Sequence, residues 1–201
     1  MLTQTILSAA LLVLPAIASP AGWSYGGSKG GSKGGWGGHN GGWSDDNGVI
    51  PFTSTYSVTA TPGQVVNGTT PTGGLKGAVG YYDLGLNTDL NLICYYIRIY
   101  GFKGDYVSPA ITATHIHEAA KGASGPPRIA FPNPYPTGKG DERISVGCQQ
   151  GPFTTGLKDN VTGVDFGANF KVSQIQANPA GFFADVHSSL ALAGAVRGQL
   201  A

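Results

Sequence analysis

The chain has 201 residues, 12 of them basic and 11 acidic, and charged residues make up only 11% of it. This near-neutral balance excludes the basic footprint that nucleic-acid binding requires. The abundance of Gly, with 33 residues, together with Thr, Ser, Asn and Pro, suits an extracellular β-protein with many turns and argues against a charged helical bundle.

Residues 1–18 hold the apolar run I-L-S-A-A-L-L-V-L-P-A-I-A, which ends in Ala16-Ile17-Ala18. That is the length and the small-x-small ending of a signal peptide. A membrane anchor is the competing reading, but the run is shorter than the roughly 20 apolar residues a span needs. No second long apolar run follows, and Arg197-Gly198-Gln199-Leu200-Ala201 lacks the tail of a lipid-anchor signal. A secreted, extracellular protein with no membrane span is expected.

Residues 19–50 follow as a Gly-rich stretch in which G-G-S-K occurs twice. Such a segment cannot bury enough apolar area to offset the entropy of ordering, so a flexible tether is expected. Trp23, Trp36 and Trp43 carry rings with a polar edge that stack well on polysaccharide or protein surfaces. Cell-wall or matrix components are the partners they suggest. His39 lies in the tether and reads as a solvated residue.

The texture changes at Pro51, and residues 51–201 read as one β-domain. T-S-T-Y-S-V-T-A-T, L-K-G-A-V-G-Y-Y-D-L, L-N-L-I-C-Y-Y-I-R-I-Y-G-F and A-I-T-A-T-H-I-H are β-branched and aromatic runs separated by turn clusters. Short strands at this spacing indicate an all-β antiparallel sandwich or barrel. Gly122–Gly151, rich in Gly and Pro, is expected to be one long surface loop. V-S-Q-I-Q-A-N-P-A-G reads as a single short helix ended by Pro179 and Gly181. The strands F-F-A-D-V-H and L-A-G-A-V-R-G-Q-L close the domain.

Cys94 and Cys148 are the only cysteines. Behind a signal peptide a disulfide is expected, worth about 4 kcal/mol in the chain-entropy model, with two buried free thiols as the alternative. Asn67-Gly68-Thr69 and Asn160-Val161-Thr162 are glycosylation sequons among turn-forming residues.

The histidines carry the chemistry. His115 and His117 form an H-x-H pair, and His187 lies in A-D-V-H. On a strand, side chains alternate with period two, so both imidazoles of the pair share one face. A third imidazole from a neighbouring strand completes a three-His site with an open position, which suits Cu(II) or Zn(II). Copper stands highest in the divalent affinity order and is the expected ion, ahead of zinc. The competing reading is structural, each ring bonding backbone groups at a strand end. Asp185 shares the face of His187 and is placed to accept an N–H from a ligating ring, or to serve as a surface charge or a partner of Arg197. Arg197 is expected to point away from the core, either drawing in an anion or forming an ion pair. Glu118 is a rim acid. Ser188 and Ser189 adjoin His187, but adjacency in sequence does not make a triad.

T-A-T-H-I-H-E-A-A-K-G-A-S-G-P resembles the H-I-H-G-x-x-G-P segment of the CHRD domain, the domain named for its presence in chordin. I-Q-A-N-P-A-G-F-F-A-D-V-H-S-S-L-A-L-A-G-A-V-R-G-Q-L resembles that domain's ending, and T-Y-S-V-T-A-T with G-L-K-G-A-V-G-Y-Y-D-L its opening strands. The likeness spans roughly residues 52–201. It implies an immunoglobulin-like β-sandwich and an extracellular setting, and it assigns no activity. The His pattern is also similar to the copper half of copper/zinc superoxide dismutases, with Ile116 and Val186 in the inward-facing positions beside the histidines. That likeness implies a copper-only redox enzyme acting on superoxide or peroxide. A metal-binding module, such an enzyme, and a structural or adhesive wall or matrix protein are therefore the three functions to weigh.

Overall fold

The computed structural model describes the backbone of residues 43–45 and 48–50, and residues 51–201 throughout. The expected signal peptide, and most of the expected tether with Trp23, Trp36 and His39, lie outside the described residues. The end of the Gly-rich stretch forms a small antiparallel ladder, β1 (Trp43–Asp45) against β2 (Gly48–Ile50).

The domain proper runs through β3 (Ser54–Ala60), the short pair β4 (Val66–Asn67) and β5 (Thr70–Pro71), then β6 (Val79–Asn87) and β7 (Leu92–Tyr100). It continues with β8 (Thr114–Glu118), β9 (Pro127–Phe131), β10 (Tyr135–Pro136) and β11 (Arg143–Gln150). The one α-helix among the described residues, α1 (Val172–Ala177), and a 3-10 turn at Pro179–Gly181 precede β12 (Phe182–Ser188) and β13 (Ala191–Gln199). No described helix is long and apolar enough to cross a membrane.

Two antiparallel sheets result, with strand orders β10-β11-β7-β6-β3 and β13-β12-β8-β9. Period-two alternation turns Tyr82 and Leu84 of β6 and Ile97 and Ile99 of β7 inward. They share one core with Ile116 of β8, Ile129 of β9, Val186 of β12 and Val196 of β13. This is the expected all-β sandwich, and neither sheet closes into a barrel. At one corner the sheets meet: the Thr61 N–H donates to the Arg197 carbonyl at 2.8 Å, and the Arg197 N–H returns to the Thr61 carbonyl at 3.1 Å. The glycine of R-G-Q-L allows that approach, since a Cβ on Gly198 would lie 2.8 Å from the Thr59 carbonyl oxygen and 3.0 Å from the Ala60 Cα.

The expected long loop at Gly122–Gly151 is corrected by the structure, because that stretch contains β9, β10 and β11. Its Gly and Pro residues hide two paired apolar runs, R-I-A-F and R-I-S-V. Pro127 is tolerated because it opens β9, an edge strand where a missing N–H costs nothing. Cys148 therefore lies within β11, directly opposite Cys94 of β7, and the two form the expected disulfide with Cα atoms 3.9 Å apart. The long irregular stretches are instead 101–113 and 151–171, the second crossed only by a bridge between Lys158 and Asp165.

Candidate metal centre

The same alternation that buries Ile116 and Val186 sends His115, His117, Asp185 and His187 to the opposite face of the four-stranded sheet. In the register of β8 and β12, Asp185 lies opposite His115 and Phe183 opposite His117. Two irregularities adjust the face. The β8–β9 register shifts between Ile116 and His117, and the β12–β13 register shifts between Val186 and Ser188, around His187. Bulges of this kind re-aim side chains locally. The three rings gather with centroids 5.2, 5.3 and 6.0 Å apart.

Each ring has one nitrogen on a backbone carbonyl. His115 Nε2 meets the Thr112 oxygen at 2.7 Å, His117 Nδ1 the Gly125 oxygen at 2.8 Å, and His187 Nδ1 the Leu192 oxygen at 2.8 Å. A carbonyl only accepts, so each of these nitrogens carries the proton and donates. The other nitrogens all face one carboxylate. His115 Nδ1 and His117 Nε2 stand 3.5 and 3.4 Å from Asp185 Oδ1, and His187 Nε2 stands 3.2 Å from Asp185 Oδ2. One donor atom from each of the four residues lies within 4.8 Å of every other. His115 and Asp185 are each 1% exposed, and His115 Nδ1, His117 Nε2 and both Asp185 oxygens are buried without a hydrogen-bond partner. Bringing imidazole lone pairs up to a buried carboxylate is repulsive unless a cation lies among them.

In the metal-free protein a proton supplies that cation. Burial works to lower the His187 pKa, but the negative charge of Asp185 beside it, with the Leu192 carbonyl, raises it to about 9. Burial opposes ionisation of Asp185 as well, yet the electrostatic influence of the neighbouring His117 and His187 holds its carboxyl well below the ordinary range. His115 is pushed down, chiefly by its burial and against the pull of Asp185, and so stays a neutral donor.

Asp185 is therefore neither a surface charge nor the group that fixes a tautomer. Three backbone carbonyls do that work, and the Asp185 carboxylate groups with the three imidazoles as a set of atoms that could hold an ion. Arg197 also departs from expectation. It leaves the inter-sheet core but is only 4% exposed. Its Nη1 donates to the Ala123 carbonyl at 3.0 Å and its Nη2 to the Val66 carbonyl at 3.2 Å. Its guanidinium carbon lies 3.9 Å from the centre of the Phe183 ring, on which His117 also stacks at 4.9 Å. Arg197 thus ties β4 and the segment after β8 to the last strand, and its polar contacts are carbonyls rather than Asp185. Glu118 pairs with Arg128 at 2.7 Å. Ser188 and Ser189 are engaged in backbone bonds, Ser188 Oγ donating to the Lys103 carbonyl and Ser189 Oγ accepting the Asp105 N–H.

Among the described residues no other His, Cys, Asp or Glu group gathers in this way. Asp185 as a donor was readable, because D-x-H has the same period-two spacing as H-x-H. The carbonyls of Thr112, Gly125 and Leu192 were not, since they depend on how loops return to the sheet. Searches among curated proteins and among solved structures return no match. The description of the CHRD domain matches residues 56–200, which takes in both His segments and the R-G-Q-L strand, and the chain belongs to the CHRD domain family.

Proposed function

We propose that this CHRD-domain protein is a secreted, extracellular module that binds one divalent transition-metal ion through His115, His117, His187 and Asp185. One observation carries the reading. Three imidazoles have their far nitrogens fixed by carbonyls while their near nitrogens converge on a buried carboxylate, and most of these inner atoms have no hydrogen-bond partner. Ligating histidines are held by their second nitrogen in this manner. Copper, at the top of the affinity order, and zinc are the ions such N and O donors accept. Secretion rests on the sequence of residues 1–18, and the exposed Asn67 and Asn160 are the proposed glycan acceptors.

The redox-enzyme reading has less support. It asks for an open coordination position and an arginine that solvent-borne anions can reach. The Asp185 carboxylate lies against the inner nitrogens of all three rings, and Arg197 is buried and committed to two carbonyls. A wall or matrix role rests on Trp residues of the Gly-rich segment.

Calorimetric titration of the metal-free mature chain with copper and with zinc tests the proposal. One site per chain is expected, lost in a His115→Ala/His117→Ala/His187→Ala variant. Heats indistinguishable from that variant's would reject metal binding and leave the histidines with a structural role.

A further inference from the structure

Resting on the metal-binding reading, we infer that the site is a closed four-coordinate one, with Asp185 as fourth ligand, matched to zinc(II) and serving as a fastener rather than as a reaction centre.

A tetrahedral ion with ligands at about 2.0–2.1 Å places neighbouring donor atoms about 3.3–3.4 Å apart, since a tetrahedron's edge is about 1.63 times its radius. The nitrogen-to-carboxylate separations are 3.2, 3.4 and 3.5 Å. Each inner nitrogen therefore lies about one tetrahedral edge from an Asp185 oxygen, Oδ1 for His115 and His117 and Oδ2 for His187, and the four donor atoms lie within 4.8 Å of one another. Zinc(II) has no d-electron preference and takes this geometry in structural sites, whereas copper(II) favours tetragonal arrangements. Copper binds such donors more tightly in general, so the match to zinc is one of geometry, and the protein would have to distort for copper to reach its preferred shape.

Closure comes next. Three neutral imidazoles and one carboxylate fill four positions, and two of the four residues are almost fully buried. His117 and His187 are the more accessible, with side chains 12% and 14% exposed. No fifth acidic or thiol donor joins the group among the described residues.

The mechanical consequence follows from where the far nitrogens reach. His115 and His117 belong to β8, and Asp185 and His187 to β12. The outer nitrogens hold Thr112 before β8, Gly125 at the return of the loop after it, and Leu192 at the start of β13. One ion at the centre would lock two strands and three covering segments into one arrangement. Binding free energy at such a site is folding free energy.

Cobalt(II) is the probe of geometry, because its visible spectrum separates four-coordinate from six-coordinate sites. The full mature chain, metal-free, is titrated with cobalt(II) and then with zinc(II) in competition. The expected result is the intense visible absorption of tetrahedral cobalt, bleached by one equivalent of zinc. In Asp185→Asn, zinc affinity is expected to fall by more than the roughly 10–100-fold that loss of an outer hydrogen-bond partner costs. The wild-type spectrum stands even if that variant folds poorly. A weak, six-coordinate cobalt spectrum, or an Asp185→Asn protein that binds zinc as tightly as wild type, would overturn the closed zinc site while leaving metal binding in place. No cobalt, zinc or copper binding above the triple His→Ala control would overturn the metal-binding reading itself.

Discussion

Gly125→Ala probes the covering of the site by a single methyl group. Gly125 has no left-handed φ, so alanine is conformationally allowed there and only space is at issue. A Cβ at this position would lie 1.9 Å from the Glu118 carbonyl oxygen and 2.9 Å from its carbon, both backbone atoms of β8 that cannot swing aside. Restoring an ordinary contact requires the loop to withdraw by more than about 1 Å. The Gly125 carbonyl now sits 2.8 Å from His117 Nδ1, and a displacement of that size takes it out of hydrogen-bond range. Overpacking of this kind costs about 1–3 kcal/mol, which corresponds to a drop in Tm of about 2–10 °C for a domain of this size. Freed from its carbonyl, the His117 ring loses its fixed orientation, and affinity for zinc should fall about 10–100-fold. Thermal unfolding of the metal-free chain and zinc titration together make the assay. Gly63→Ala serves as control, because a Cβ there meets nothing within 4 Å. If Gly125→Ala matched the control in both Tm and affinity, the carbonyl clamp on His117 would be refuted.

Three further outcomes are expected. Arg197→Gln should destabilise the domain by about 2–3 kcal/mol in denaturant unfolding, because charge-assisted bonds to the Ala123 and Val66 carbonyls and the stacking on Phe183 are lost together. The His187 pKa is raised to about 9 from its ordinary 6.5, so its contribution to metal-free stability is complete below about pH 6.5 and vanishes as pH rises through 9. Unfolding free energies measured between pH 6 and 10 should therefore fall by up to about 3 kcal/mol, and a flat profile would contradict the protonated pair with Asp185. The double variant Cys94→Ala/Cys148→Ala should still fold, with stability lowered by about 4 kcal/mol for a bridge spanning 54 residues, and peptide mapping without reductant should recover the two cysteines linked in wild type.

The strands that flank the site were legible because their patterns were clean. T-H-I-H-E and F-F-A-D-V-H-S alternate, and Ile116 and Val186 fall inward as that alternation requires. The short helix announced its end with Asn178, Pro179 and Gly181. Composition misleads where it outweighs pattern: Gly and Pro dominate Gly122–Gly151 and conceal the apolar strands R-I-A-F and R-I-S-V. The four clustered residues are legible, since D-x-H repeats the period-two spacing of H-x-H, but the sequence leaves open whether Asp185 supports a ligating ring or is itself a donor. What decides between support and ligation is the position of the far ring nitrogens, and these are set by Thr112, Gly125 and Leu192, whose carbonyls are contributed by backbone alone. Residue types carry no record of such contacts. The role of Arg197 was hidden for a similar reason, since its partners are the carbonyls of Val66 and Ala123 in distant turns.

The most direct measurement of metal binding is anomalous diffraction at the zinc edge from crystals of the mature protein grown with zinc. A single peak is expected about 2.0–2.1 Å from His115 Nδ1, His117 Nε2, His187 Nε2 and one Asp185 carboxylate oxygen. Four ordered side chains with no peak between them, in crystals saturated with zinc, would contradict it.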